Sequence, residues 1–356
     1  MPAFPFPAYL HAISPYAVKF TEDYGVRWYG LAYLAGFIAG YFLIRRVISH
    51  GFSNLKEEQA GDFVFIVALG AIIGGRLGYC LFYAPELFLR FSDNFPFWKV
   101  LAVNEGGMAS HGGMIGIFLA CLYFARRHKL SVLHLADLTT LGGTAGIFFG
   151  RIANFVNGEL IGRPAAEWLP WGMKFPQEVF LWLYTDPDRL RQVAPALKYL
   201  GVSSGRWQEM IDSYQSDPWI WSNVEAALSS LINAVQQGNV MVQAALEPVL
   251  TLRHPSQIYE ALLEGALLFG LLVWSWRVER RAGFISGIFF SGYAIVRILC
   301  ENFRMPDAQI GYQLFGLTRG QWLSFVIFAA GMLLLWNARE PVVSQGNSDE
   351  WRKPGN

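Results

Sequence analysis

The chain has 356 residues, 53% of them hydrophobic and 15% charged, with a formal net charge of +1 at pH 7. A soluble domain carries about 25% charged residues, so this composition fits a membrane-embedded chain, and the near-zero charge gives no ground for a nucleic-acid partner. Cys80, Cys121 and Cys300 sit scattered in apolar runs, with neither a metal-ligand spacing nor a disulfide pattern.

The N-terminal stretch MPAFPFPAYLHAISPYAVKF has no basic n-region, and prolines break its apolar run. It does not read as a signal peptide, so targeting is expected from the first spanning helix. A bilayer-crossing helix needs about 20 mostly apolar residues. Seven segments stand out in chain order: 26–48, 62–83, 112–127, 133–156, 256–276, 283–303 and 320–338, the third being short. The expected fold is an all-α membrane protein, a seven-transmembrane helix bundle. Residues 1–157 would hold the N-terminal arm and the first four helices. Residues 158–255 would form a cap on the outer face, 256–339 the last three helices, and 340–356 a polar cytoplasmic tail. Within the cap, 186–246 reads as two or three soluble helices.

Lysine and arginine collect on the cytoplasmic side of membrane proteins. Arg45, Arg46 and Lys56 follow the first helix, and Arg126, Arg127 and Lys129 follow the third. Arg277, Arg280 and Arg281 follow the fifth, and Arg339, Arg352 and Lys353 the seventh. All four clusters fall on one side if the N-terminus is outside and the C-terminus cytoplasmic. The cap then faces the periplasm or the extracellular space. Glycines recur every four residues at Gly70, Gly74 and Gly78, and at Gly142, Gly146 and Gly150. That spacing predicts close helix contact in lipid.

Charges inside such helices cost several kcal/mol, with estimates from about 2.5, and persist when paired, hydrated or used. Arg76 lies within the second helix, Arg151 in the last turns of the fourth, Glu260 and Glu264 on the fifth, and Arg297, Glu301 and Arg304 at the end of the sixth. Arg151 and Asn154 share a helix face, as do Tyr293, Arg297 and Glu301. A structural ion-pair network of Arg76, Arg151 and Arg297 with the three glutamates is one reading. An outward-facing site for an anionic lipid headgroup is the other. Arginine's planar fork suits phosphate oxygens and does not lose its charge. NEGGMASHGGMIG, residues 104–116, adds His111 at the start of the third helix, with Ser110 as its expected N-cap. Histidine exchanges its proton near neutral pH. No HExxH, GxSxG or DxxD motif accompanies these residues, so no metal site is expected.

GRIANFVNGELIG, residues 150–162, resembles the signature of the prolipoprotein diacylglyceryl transferases, bacterial membrane enzymes. HGGMIG at 111–116, HPSQIYEALLEG at 254–265, RILCENFRMPDAQ at 297–309, RWYGLAYLAGF at 27–37 and GGRLGYCLFY at 74–83 resemble its other blocks, in the same order. The resemblance implies transfer of the diacylglyceryl group of phosphatidylglycerol to the lipobox cysteine of a preprolipoprotein. The products would be a thioether and glycerol phosphate. It implies no cofactor, a multi-pass protein of the bacterial cytoplasmic (inner) membrane with its active site toward the outer leaflet, and a monomer. Carried over by position, the catalytic residues are His111, Arg151 and Arg297. Tyr29, Asn154, Gly162, Tyr293 and Glu301 bind phosphatidylglycerol, and Arg76 and Arg304 join them on charge and depth. Glu159 is expected to end its helix or pair with Arg163. The stretch between Arg163 and His254 is longer than the family's usual connection, and deleting 190–245 is expected to spare chemistry on a minimal lipobox peptide unless the cap is part of the active site. Intramembrane charge also admits a transporter or a lipid-binding membrane protein as the alternative.

Overall fold

The structure, a computed structural model, describes residues 8–20, 25–93, 96–103, 106–277, 280–306 and 312–338. The expected tail at 340–356 and the basic cluster Arg339, Arg352 and Lys353 lie outside those residues.

Apolar segments fold as helices because hydrocarbon offers backbone N–H and C=O groups no partner but each other. In order they are α1 (Trp28–Ser49), α2 (Gln59–Phe82), α3 (Ser110–His128) and α4 (Val132–Asn157). The 158–255 stretch carries α5 (Glu178–Thr185), α6 (Ala194–Lys198), α7 (Ser204–Ser213), α8 (Pro218–Gln236) and α9 (Val240–Leu246). Next, α10 (Ser256–Glu260) passes through a π-helical stretch, Ala261–Leu267, into α11 (Leu268–Ser275). The chain then forms α12 (Phe284–Glu301) and α13 (Arg319–Asn337). Among the described residues, six helical segments are long and apolar enough to cross a membrane: α1, α2, α4, the continuous α10–α11, α12 and α13. The short third segment also folds as a helix, α3, but SHGG and ARRH at its two ends dilute its apolar character. The protein is thus mostly helical, with six candidate spans. The 186–246 stretch holds four α-helices and a 3-10 turn, Pro187–Val193, more than the two or three expected. The shortest of them, α6 (Ala194–Lys198) and α9 (Val240–Leu246), are too brief to show the 3.6-residue period on which a sequence reading depends.

Two compact units divide the chain. One comprises Met1–Ala35, Ile147–Leu267 and Ala294–Val326; the other comprises Gly36–Gly146, Leu268–Tyr293 and Ile327–Asn356. In the second unit, α2 and α3 meet glycine to glycine. A Cβ on Gly70 would meet the Gly116 carbonyl oxygen at 2.6 Å, and one on Gly78 would meet Gly112 Cα at 2.7 Å. α1 and α4 do the same where a Cβ on Gly36 would meet Gly146 Cα at 2.9 Å and one on Gly142 would meet Gly40 Cα at 3.2 Å. Gly150 departs from that pattern, since a Cβ there meets open space.

The first unit contains residues 158–255, whose helices have their own hydrophobic core. Val179, Trp182 and Leu183 of α5 pack with Trp207, Ile211, Val224, Leu228, Leu231, Val242 and Leu246. Beneath that core, short backbone segments lie side by side. β1 (Tyr9–Leu10) pairs in parallel with β4 (Met173–Lys174), Met173 bridges to Arg253, Arg253 to Pro164, and Gly162 to Arg304. The same unit holds β2 (Tyr16–Lys19) antiparallel to β3 (Gly25–Arg27).

Candidate active site

The GRIANFVNGELIG segment spans the end of α4 and the turn beyond it. Gly158 takes φ +67°, which only glycine adopts without cost. The Glu159 amide then closes the helix by donating to the Asn154 carbonyl at 3.0 Å. Leu160 follows at φ +54°, and this unfavourable conformation is over-determined by its surroundings. Ser256 Oγ donates to the Leu160 carbonyl at 3.0 Å, the Gln257 side chain donates to the Glu159 carbonyl, and Arg253 Nη1 donates to the Gly162 carbonyl at 2.9 Å. The RHPSQ block therefore laces the GELIG block carbonyl by carbonyl.

Gly265 lets α4 approach the π-helical stretch, because a Cβ there would stand 2.7 Å from Phe148 Cα. That approach brings Arg151 to the two glutamates. Arg151 reaches Glu260 at 3.0 Å and Glu264 at 2.8 Å. From α12, Arg297 meets Glu260 at 2.6 Å, Glu264 at 3.2 Å, and Glu301 one turn on. Arg304 reaches Glu260 at 3.4 Å. Thr318 Oγ1 donates to the other oxygen of Glu301 at 2.9 Å. Gly320, in the first turn of α13, leaves room for that carboxylate. The expected set of three arginines and three glutamates is thus present with one exchange, since Arg304 takes the place of Arg76.

The burial within the cluster is one-sided. Glu260 and Glu264 are 0% exposed, whereas the side chains of Arg151, Arg297 and Arg304 keep 16%, 12% and 11%. The Glu301 side chain keeps 5%. The buried glutamates fix the arginines in place.

Beside the cluster, the Asn154 amide donates to Tyr29 Oη, which donates to Glu159 Oε2 at 2.8 Å, and Asn157 Nδ2 donates to Glu159 Oε1 at 3.3 Å. Glu159 is therefore the acceptor at the end of a tyrosine–amide chain, not the partner of Arg163. Arg163 turns instead to carbonyls, donating from Nε to Arg304 at 3.0 Å and from Nη2 to Glu301 at 3.3 Å. Of the two expectations for Glu159, ending its helix or pairing with Arg163, the structure shows the first, since α4 ends at Asn157 and the Glu159 amide closes it. Nearby, Trp171 Nε1 donates to Tyr259 Oη at 2.7 Å, and Tyr259 Oη lies 3.2 Å from His254 Nδ1. Burial holds the His254 imidazole below its usual range.

Three of the sequence candidates lie in the second unit. His111 occupies the second position of α3, half-buried, and the helix begins at Ser110 itself. The N-cap position falls to Ala109, which makes no side-chain cap. Arg76 is buried, and its donors are taken by carbonyls: Nε to Val100 at 2.7 Å, Nη1 to Gly106 at 2.6 Å and Gly107 at 3.1 Å, and Nη2 to Lys99 at 2.6 Å. It holds the loop leading into α3. Tyr293 stacks on Phe289 at 5.7 Å between ring centroids. Among the described residues no group of three or more His, Cys, Asp or Glu side chains could hold a metal ion.

The family model for prolipoprotein diacylglyceryl transferase matches residues 15–337. A protein of Bdellovibrio bacteriovorus named phosphatidylglycerol–prolipoprotein diacylglyceryl transferase is 46% identical over 326 residues, covering 92% of this chain and 93% of its own. Proteins of the same name from Rhodospirillum centenum and Idiomarina loihiensis are 36% and 34% identical, covering 95% and 92% of this chain and 95% and 94% of theirs. The match runs through every block that forms the arginine–glutamate cluster and its supports, and on it this chain belongs to the prolipoprotein diacylglyceryl transferase family.

Proposed function

We propose that this chain transfers the diacylglyceryl group of phosphatidylglycerol to the lipobox cysteine of preprolipoproteins, the first step of bacterial lipoprotein maturation. The thiol gives up its proton, and the thiolate attacks the glycerol carbon that bears the phosphate. The C–O bond breaks, its electron pair leaves on the phosphate oxygen, and a thioether and glycerol phosphate result. Arg151 and Arg297 face the phosphate and stabilise the negative charge that grows on it, with Arg304 beside them. A preorganised charge of this kind supplies about 3–4 kcal/mol. Tyr29 and Asn154 act as one hydrogen-bonded unit with Glu159 at the headgroup, and Glu301 holds Arg297. Gly162 binds by leaving room for its neighbours' backbone. His111 accepts the thiol proton, Tyr293 supplies a hydrogen bond, and Arg76 serves by fixing the loop before His111. No cofactor takes part, and the protein acts as a monomer with no nucleic-acid partner.

The same reading places the chain in the cytoplasmic (inner) membrane, with seven crossings, the N-terminus outside, residues 158–255 as the outer cap and the site toward the outer leaflet. The observation that supports it is the unequal burial of the cluster, with Glu260 and Glu264 0% exposed and the arginine side chains 11–16%. A dry structural lock would bury both signs equally. The purified protein in phosphatidylglycerol vesicles with a lipobox cysteine peptide should yield the thioether by mass spectrometry. Arg151→Ala should cut that rate by about 100-fold or more, and full activity in a correctly inserted variant would remove the phosphate clamp.

A further inference from the structure

Among the described residues, the ion cluster matches its cations and anions in number. Arg151, Arg297 and Arg304 stand against Glu260, Glu264 and Glu301, three cations to three anions. An arriving phosphodiester would leave the set with a net negative charge at low dielectric, where uncompensated charge is expensive. One cation adjoins the cluster without a carboxylate of its own. Arg163 is half-buried and, among the described residues, within ion-pair distance of none. Its two hydrogen bonds go to neutral carbonyls, those of Arg304 and Glu301. Its backbone is pinned on both sides: its amide donates to Phe303 at 2.8 Å, and its carbonyl accepts from His254 at 3.1 Å. The Tyr312 ring lies 5.9 Å from its guanidinium carbon. Arginine has five N–H donors, so the two bonds that fix the fork leave its Nη1 edge for a ligand.

We propose that Arg163 is a phosphate-binding residue of this site. It supplies the positive charge that the neutral arginine–glutamate set lacks and takes a phosphate oxygen of an anionic lipid headgroup. This inference rests on the transferase reading above. Because Arg163 is tied to the backbone of Glu301 and Arg304, it holds the headgroup in fixed register with the last turn of α12.

Full-length protein in nanodiscs tests this, with kcat and KM for phosphatidylglycerol and inhibition by glycerol phosphate measured for wild type, Arg163→Gln and Arg163→Lys. The glutamine variant should raise both KM and the glycerol phosphate inhibition constant by about tenfold or more, and the lysine variant, which keeps charge but loses the fork, by about threefold. An unchanged inhibition constant in either folded variant overturns the proposal, even if kcat falls, since Arg163 would then merely prop residues 301–304. Inhibition by inorganic phosphate as strong as by glycerol phosphate would make this a free-anion site and overturn the headgroup assignment. If wild type fails to modify the peptide, the transferase reading fails on its own account. Calorimetric binding of glycerol phosphate that is present in wild type and lost in Arg163→Gln would still support the anion site.

Discussion

Two glycines decide how closely backbone can come to the arginines. A Cβ on Gly162 would run into the His254 carbonyl and stand 2.9 Å from the Phe303 carbonyl oxygen, so backbone blocks it on both sides. A Cβ on Gly320 would press on the Glu301 carboxylate at 2.5 Å, with Arg297 Nη2 at 3.4 Å. The two substitutions should therefore fail differently. Gly162→Ala has no flexible neighbour to displace and should lower the melting temperature along with activity. Gly320→Ala moves a side chain only. It should retain most of the stability and cost about tenfold in kcat, since misplacing a catalytic group by about 1 Å costs up to 100-fold. Near-wild-type kcat for Gly320→Ala would show that Glu301 need not hold Arg297. The residue types of this site were legible in the sequence, because a charge in an apolar helix is conspicuous. Partner choice was not. Arg76 and Arg304 look alike in the string, yet Arg76 ends among loop carbonyls and Arg304 at Glu260. Only the loop's return over α2 decides between them.

At the scale of elements, α5 is joined to the GELIG block by a buried ion pair. Glu178, in the first turn of α5 and 0% exposed, accepts from the Thr251 amide at 2.8 Å and pairs with Arg253, whose Nη1 holds the Gly162 carbonyl at 2.9 Å. Removing one member of such a pair strands a buried charge and costs about 3–5 kcal/mol. Glu178→Gln should therefore destabilise the protein and lower transfer together, as a thermal melt and the peptide assay would register. Deletion of 190–245 bears on the same ion pair. Trp207, Val224, Leu228, Leu231 and Val242 share one core with Val179, Trp182 and Leu183, so that deletion would strip α5 of its packing and loosen Glu178 with it. The N-terminal arm adds a pH dependence. His11 is wholly buried between Phe155 and Phe175, and burial pushes its pKa down to about 4. Between about pH 6.5 and 4 the unfolded chain binds a proton there that the folded chain refuses, so stability should fall as pH falls through that window, by up to about 3 kcal/mol. His11→Phe should flatten the melting temperature between pH 7 and 5. A wild-type slope in that variant would place the acid sensitivity elsewhere.

For the whole molecule, α3 decides the topology. With its 19 residues it spans about 28 Å at 1.5 Å per residue, close to the hydrocarbon thickness of about 30 Å. Its glycine face on α2 further spares it from meeting lipid all round. If α3 did not cross, α4 would run the opposite way. The cap would then lie in the cytoplasm, while Arg126, Arg127, Arg277, Arg280 and Arg281 would stand outside. Lys and Arg placement strongly disfavours that arrangement. The proposed seven crossings would put all of these basic residues inside and residues 158–255 outside. The native cysteines are buried, so single exposed cysteines can report the sidedness without interference. An impermeant maleimide on intact spheroplasts should label Asp93→Cys and Ser216→Cys. Asn54→Cys and Ser131→Cys should react only after permeabilisation, all four positions being exposed in the structure. External labelling of Ser131→Cys, with Ser216→Cys protected, would mean six crossings. The cap would then sit on the wrong side of the membrane to meet an exported lipoprotein.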